Sequence, residues 1–177
     1  AGLRALIEYA VKSGKPDDVL VVMDCDDTHD PAQIPDMLRA MAEGADVAIA
    51  SRFAPGATVR GVPFLRRLTA LGVVMLFKTI HPVRRVWDYT CGYRAYRIGL
   101  LRDAARRFDG RLIEEAGFAC MVEALLKLNA MGARFAEVGL HLRYDLKPTE
   151  SKMAVSSNIR RLLALLVRWR WRGFETA

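Results

Sequence analysis

The chain has 177 residues, of which 52% are apolar, and its formal net charge is +7. This length and apolar content fit one domain with a substantial core, and no uncharged run is long enough to be a membrane-spanning helix. The positive charge implies an anionic partner: nucleic acid, an acidic membrane surface or a phosphorylated substrate. The three cysteines are scattered without metal-type spacing, which predicts reduced thiols in a cytosolic protein.

Helical and strand patterns alternate along the chain. Apolar residues recur at helical spacing over 2–12 and 32–43, and each segment is followed by an apolar run, 19–23 and 46–50, typical of a buried strand. This order predicts a parallel α/β arrangement. Because the chain begins on a helix with no earlier strand to pair with, we expect that strands are missing and that the sequence is a fragment. Further helices are predicted over 64–80, 98–108, 118–131 and 158–173, with a loop over 54–63 and extended segments within 91–97 and 134–144.

The first apolar strand runs directly into an acidic cluster. Asp24, Asp26 and Asp27 follow it within four positions, and Asp30 lies just beyond. Ligand sites of open α/β sheets lie at the carboxyl ends of such strands. Carboxylates crowded there need a cation or a proton, and hard oxygen ligands favour Mg²⁺ or Mn²⁺ together with phosphate oxygens. The alternative is a solvated acidic turn. We therefore predict a metal–diphosphate site.

A phosphatase is one enzyme class that fits the acidic cluster. Residues 24–28, Asp-Cys-Asp-Asp-Thr, match Asp-x-Asp-x-Thr after a strand, which resembles the nucleophile motif of haloacid-dehalogenase-type phosphatases. In that family the first aspartate attacks phosphorus and the second moves the proton. Such enzymes also need an acidic pair after a later apolar strand, and the strand candidate at 135–140 has none. The resemblance is therefore local.

A second family explains more of the chain. Asp24-x-Asp26 with His29 and Pro31, together with later motifs in matching order, resembles family 2 glycosyltransferases of the GT-A fold. The closest subgroup is the polyprenyl-phosphate mannose/glucose synthase-like enzymes. The later motifs are Ser51-Arg52-Phe53, Arg66-Arg67, the segment 88–96 (Asp-Tyr-Thr-Cys-Gly-Tyr-Arg-Ala-Tyr), the segment 117–126 with its Glu-Ala-Leu-Leu, Glu137-Val138 and Ser151-Lys152-Met153.

The resemblance implies a Rossmann-like GT-A fold, with a mostly parallel sheet flanked by helices. Residues 1–155 would form the C-terminal portion of this catalytic domain, and residues 156–177 a basic amphipathic helix. The first strand of the family and its Asn-Glu loop, which cradle the nucleotide base, are absent from the sequence. Thr28 and Cys91 stand where the subgroup often has glutamine and serine.

The implied reaction is inverting transfer of a hexose from a nucleotide-sugar donor. A divalent ion, Mg²⁺ or Mn²⁺, held by Asp24 and Asp26 would stabilise the charge that develops on the leaving diphosphate. Asp26 is the expected direct ligand, and Asp24 would be shared between the metal and the ribose. Lys152 is a further candidate for binding the donor diphosphate, its alternative being a solvated side chain.

The implied acceptor is a polyprenyl phosphate, whose charge calls for guanidinium groups more than for a base. Arg52, Arg66 and Arg94 are the candidates for binding it, although each could be an ordinary surface arginine. A hydroxyl acceptor would instead require a general base, and Asp88 is the candidate for this catalytic role. The alternative for Asp88 is a loop carboxylate paired with Arg84 or Arg85. His29 is expected to be structural or to support a metal ligand rather than to act as a base.

The last predicted helix, 158–173, combines leucine and tryptophan with five arginines and has no acidic residue. This composition suits a helix in the headgroup region of an anionic bilayer, and it also suits docking on the domain or a partner. We therefore expect peripheral contact with the cytoplasmic face of the membrane. Nucleic acid is not expected, because the basic residues are dispersed and no recognised motif occurs. A non-catalytic basic membrane-binding module remains the alternative to an enzyme.

Overall fold

The fold is described from a computed structural model. It covers residues 2–62, 64–117, 119–146 and 155–172, without the side chains of 64–67, 69, 146, 155–159 and 170–172. The helices are α1 Gly2–Ser13, α2 Ile34–Ala42, α3 Phe64–Ile80, α4 Ile98–Arg107, α5 Ala119–Ala130 and α6 Val155–Arg172, and the strands are β1 Val19–Val22, β2 Val47–Ser51, β3 Thr58–Arg60, β4 Arg94–Arg97, β5 Phe135–Gly139 and β6 His141–Arg143.

Four strands form the main sheet in the order β1-β4-β2-β5. β2 and β5 are parallel, and β4 is antiparallel to both β1 and β2, so β1, β2 and β5 all run the same way. Ala95 of β4 pairs with Val21 on one side and Ala48 on the other. The predicted α/β fold is confirmed. The predicted mostly parallel sheet is a mixed sheet in which one strand, β4, is reversed.

Helices flank this sheet and bury its central strand. α2 packs on β2, β4 and β5, while α1 packs on α4 and β1. Every residue of β2 is buried, as expected for an apolar strand covered on both faces. The expectation that the run 19–23 forms a strand buried on both faces was wrong. Each residue of β1 is only partly buried, since β1 is the outermost strand of the described sheet on that side.

A small second sheet was not foreseen in the segment 54–63. β3 lies in this segment and pairs in parallel with β6 to form the second sheet. β6 is also joined by main-chain contacts to the loop after β1: the amide N–H of Arg143 donates to the carbonyl of Thr28 over 3.0 Å, and Leu142 forms a β-bridge with His29. At Gly139 two segments of the chain approach so closely that a Cβ atom on this residue would lie 2.5 Å from the carbonyl oxygen of Pro55. Only glycine fits this position.

Helix α6 packs on the domain through one face. Leu162, Leu165, Leu166 and Trp169 are buried, and α6 contacts α5 and α3. The predicted helix is confirmed and begins at Val155. The boundary at residue 155 stays a prediction. Within the described ranges, no helix combines the length and the apolar character needed to cross a membrane.

Candidate active site

The reversal of β4 brings several loops to one edge of the sheet. The carboxyl ends of β1, β2 and β5 lie at this edge, and so does the amino end of β4. The amide N–H groups of Trp87 and Asp88 donate to the Glu137 carboxylate of β5, over 2.7 and 2.6 Å. A Cβ atom built on Gly92, just before β4, would lie 4.0 Å from the Oδ1 atom of Asp24. Side chains far apart in sequence therefore meet at this edge.

The acidic loop after β1 is closed by its own side chains. The Oδ1 atom of Asp26 accepts hydrogen bonds from the amide and the hydroxyl of Thr28, over 3.3 and 2.6 Å. Asp27 between them has φ 59°, in the left-handed region that aspartate tolerates better than most residues. The amide of Asp24 donates to the Nδ1 atom of His29 over 3.1 Å. Thr28 and His29 are buried, whereas Asp24 is exposed.

Gln33 attaches this loop to the far side of the sheet. Its Oε1 atom accepts the amide N–H of His141 over 2.8 Å, and its Nε2 atom donates to the carbonyl of Gly139. Gln33 is buried, so both hydrogen bonds are shielded from water. The loop is thus fixed from β5 and β6 as well as from within.

The carboxylates fit a divalent ion shared with a diphosphate. No three acidic, histidine or cysteine side chains of the described residues are grouped to hold a metal by themselves. Mg²⁺ commonly takes one or two carboxylates and completes its shell with phosphate oxygens and water. Asp24 is open to solvent, and the missing side chain of Gly92 leaves space beside its carboxylate. Asp24 and Asp26 are therefore suitable ligands for Mg²⁺ or Mn²⁺ once a diphosphate is present.

Arg52, which follows the carboxyl end of β2, forms an ion pair with Asp88 of the loop before β4. The Nε and Nη2 atoms of Arg52 donate to the two carboxylate oxygens of Asp88 over 2.7 and 2.6 Å, and Nη2 also donates to the hydroxyl of Thr90. The Asp88 side chain is 0% exposed, whereas that of Arg52 is 25% exposed. The bidentate pairing fixes the orientation of the guanidinium.

This environment does not support Asp88 as a general base. Its carboxylate accepts the two guanidinium bonds and also the amides of Arg52, Thr90 and Cys91. Burial disfavours the charged carboxylate, but the hydrogen bonds and charge of Arg52 outweigh burial, and the pKa of Asp88 lies below its usual value. A carboxylate that is covered and more acidic than usual is a weak proton acceptor. The alternative, a carboxylate paired with Arg84 or Arg85, named the wrong partner, because the arginine that pairs with Asp88 is Arg52.

Glu137 is a site residue whose role the sequence did not reveal. Besides the two amides of the loop before β4, its carboxylate takes a hydrogen bond from Ser51. Burial raises the pKa of Glu137, because the charged form loses hydration that these donors only partly replace. The available signal was a single carboxylate within the otherwise uncharged strand at 135–140. Glu137 holds the Trp87–Asp88 segment against β5.

The environment of Arg94 does not support the prediction that it binds an acceptor. Arg94 is 0% exposed, and its guanidinium donates to three main-chain carbonyls, those of Tyr89, Cys91 and Met121, over 2.7, 2.8 and 2.8 Å. A phosphate could reach this group only if the surrounding loop opened. Arg94 instead ties the loop before β4 to the first turn of α5. The two other predicted cations, the Arg66 side chain and Lys152, lie outside the described residues.

A second buried ion pair supports the segment that leads into α5. The Glu123 side chain is fully buried, accepts the amides of Glu114 and Glu115 over 2.8 and 2.7 Å, and pairs with Lys127 over 2.8 Å. Arg168 of α6 contacts Glu115 over 2.8 Å on the outer side. Glu114 and Glu115 are therefore part of a structural network.

Comparison with known proteins assigns the family. The model of the family described as "Glycosyl transferase family 2" matches residues 2–104, more than half of the chain. The chain is 33% identical over 165 residues to polyprenol monophosphomannose synthase of Mycolicibacterium smegmatis, covering 88% of this chain and 56% of the relative. It is 32% identical to undecaprenyl-phosphate mannosyltransferase of Micrococcus luteus, covering 89% of this chain and 63% of the relative.

A third relative is dolichol-phosphate mannosyltransferase of Pyrococcus furiosus, 34% identical over 111 residues, with 62% of this chain and 30% of the relative covered. The chain thus spans a little over half the length of the first two relatives. The matched region contains the acidic loop, the Arg52–Asp88 pair and Arg94. On this match the chain belongs to glycosyl transferase family 2.

Proposed function

We propose that the protein containing this chain is an inverting glycosyltransferase that moves a hexose from a nucleotide-diphosphate sugar to a polyprenyl phosphate. Mannose is the favoured hexose, because the names of all three relatives specify mannosyl transfer and a polyprenol, undecaprenyl-phosphate or dolichol-phosphate. The observation that carries the proposal is that Asp24 and Asp26 follow the carboxyl end of β1 at the same sheet edge where the partly exposed Arg52 follows β2.

On the donor side, Asp24 and Asp26 would hold Mg²⁺ or Mn²⁺. When bound, the ion supplies positive charge that stabilises the departing diphosphate. Thr28 holds Oδ1 of Asp26 in place, so the carboxylate does not have to be ordered when the donor arrives. Lys152 remains a proposed diphosphate contact that lies outside the described residues.

On the acceptor side, the engagement of Asp88 favours a phosphate over a hydroxyl acceptor. An ionised phosphate attacks without giving up a proton, so no general base is needed. Arg52, oriented by Asp88 and still 25% exposed, is suited to bind such a phosphate. Because Asp88 offsets part of its charge, a second cation is required, and Arg66 remains the proposed one.

We also propose that the protein contacts the cytoplasmic face of the membrane through α3 and the outer side of α6. Leu68, Leu71 and Met75 are exposed on one face of α3. The same face leads to Lys78, whose ammonium donates to the carbonyls of Val83 and Val86 and lies 5.0 Å from the ring centroid of the exposed Trp87. Apolar side chains flanked by an aromatic ring and a cation suit the interface of an anionic bilayer. The polar side of α6 adds the exposed arginines Arg160, Arg161 and Arg168.

The buried face of α6 does not take part in this contact. Leu162, Leu165, Leu166 and Trp169 face the domain, so only Leu163 and Val167 of its large apolar residues stay exposed among those described. Co-sedimentation with anionic vesicles would test the contact. We expect Leu71→Glu to weaken vesicle binding and Tyr9→Glu, at an even more exposed side chain on α1, to leave it unchanged.

The experiment that tests the reaction is calorimetry of GDP- and UDP-sugar binding by the full-length protein, with and without Mn²⁺. We expect Mn²⁺-dependent binding that Asp26→Ala abolishes. Asp17→Ala, a change at an exposed aspartate on a distant turn, should leave binding intact. Folded protein that binds neither donor would refute the transferase and favour a non-catalytic membrane-binding module.

The phosphatase alternative loses its basis. The family match covers the acidic motif on which that alternative rested. A phospho-aspartate on Asp24 would restore it.

A further inference from the structure

The imidazole of His29 lies inside the acidic loop and contacts the main chain of Asp24, the first aspartate of that loop. Its Nδ1 atom accepts the amide N–H of Asp24 over 3.1 Å. A nitrogen that accepts a hydrogen bond carries no proton, so a neutral ring here has its proton on Nε2. The hydrogen bond joins two residues five positions apart and closes the loop that contains Asp26.

The ring is held from outside the loop. His29 stacks on Tyr93 of the segment before β4, with ring centroids 5.0 Å apart and planes inclined by 22°. Tyr93 is fully buried, and its hydroxyl donates to the carbonyl of Asp30 over 3.0 Å. The backbone of His29 forms a β-bridge with Leu142. The position of the imidazole is therefore set by two other segments of the sheet edge.

The hydrogen bond from the Asp24 amide to His29 sets the direction of the backbone just after β1. β1 ends at Val22, so from Met23 onward hydrogen bonds to β4 no longer hold the chain. The hydrogen bond to His29 is the contact of the Asp24 amide that replaces this ladder. Without it, the exposed Asp24 carboxylate would be free to take orientations unsuited to a shared ion.

We propose that His29 is a positioning residue for the metal site: the imidazole acts as a hydrogen-bond acceptor that aligns Asp24 with Asp26. This inference rests on the proposed function, because it assumes that the two carboxylates bind a divalent ion together with a nucleoside diphosphate. It gives His29 a role distinct from proton transfer. Partners that orient the ligands of a metal typically change its affinity by about 10- to 100-fold.

Two substitutions distinguish the effect of the hydrogen-bond acceptor from the effect of ring stacking. His29→Asn keeps an acceptor close to the position of Nδ1 and loses the stacking. His29→Phe keeps an aromatic ring against Tyr93 and loses the acceptor. The exposed His141 on β6 provides the matched control, His141→Phe. Mn²⁺ affinity of the full-length protein is measured in the presence of GDP by electron paramagnetic resonance of free Mn²⁺, and circular dichroism confirms folding.

We expect His29→Phe to weaken Mn²⁺ binding by about tenfold, with His29→Asn within about threefold of the unsubstituted protein and His141→Phe unchanged. Unaltered affinity in folded His29→Phe would overturn the positioning role and leave the proposed function standing. Loss of affinity in folded His29→Asn as large as in His29→Phe would also overturn it, since the acceptor atom would then be irrelevant. Absence of Mn²⁺ binding in the unsubstituted protein would overturn the proposed function and this inference with it.

Discussion

Replacing Arg94 should destabilise the fold without removing a ligand contact. Its guanidinium is the donor to three buried carbonyls, and Arg94→Met leaves all three without that partner. Hydrogen bonds from charged donors contribute about 1.5–3 kcal/mol each, so the lower value gives a loss of roughly 4–5 kcal/mol. Domains of this kind are stable by only about 5–15 kcal/mol. Arg94→Met should therefore remove between about a third and nearly all of the stability of such a domain.

Urea unfolding followed by circular dichroism measures this loss. Arg94→Lys keeps one charged donor group and should fall between Arg94→Met and the unsubstituted chain. Arg106→Met on α4, where the side chain is 75% exposed, is the control and should change the free energy of unfolding by less than about 0.5 kcal/mol. A loss below about 1 kcal/mol for Arg94→Met, or loss of acceptor binding in stable Arg94→Lys, would refute the structural role.

Three further predictions concern buried ionisable groups. Because the pKa of Asp88 is lowered, its ionised form stabilises the fold above the unfolded pKa of about 3.9, and this contribution disappears as pH falls through the folded pKa. The stability difference between the unsubstituted chain and Asp88→Asn should therefore narrow on acidification in pH-dependent urea unfolding, and a widening difference would contradict the pairing. Lys127→Met leaves Glu123 buried without its cation and should cost about 3–5 kcal/mol in the same assay, part of which Glu123→Gln should restore; a loss typical of a surface substitution would contradict this. Burial raises the pKa of the Cys91 thiol to about 12. A thiol reagent should therefore label the exposed Cys25 in the native chain and Cys91 only after denaturation. Equal labelling rates of the two cysteines in the native chain would be inconsistent with this burial.

Local sequence patterns were sufficient to locate the acidic loop. A valine-rich run followed by Asp24 and Asp26 predicts a strand end that carries carboxylates, and β1 ends at Val22. Helix positions followed from apolar spacing, as in α2 and α4, where one face is buried against the rest of the fold. These features depend on residues close together in the sequence.

Long-range geometry was not accessible in the same way. The reversed direction of β4 results from pairing with strands far away in sequence, and no local pattern in residues 94–97 encodes it. The resemblance gave Arg94 and Asp88 candidate functional roles, yet both side chains are buried, and burial depends on which groups surround them after folding. A charged side chain in a sequence does not reveal whether its partner will be a ligand, a carboxylate or a main-chain carbonyl.

The link between β6 and the acidic loop has a consequence for sequence variation. It is made by main-chain atoms, the amide of Arg143, the carbonyl of Thr28 and the bridge between Leu142 and His29. Every residue type except proline supplies the amide, so side chains on β6 can change while the loop keeps its shape. Substitutions at this strand can therefore accumulate without disturbing the main-chain contacts that hold the loop carrying Asp24 and Asp26.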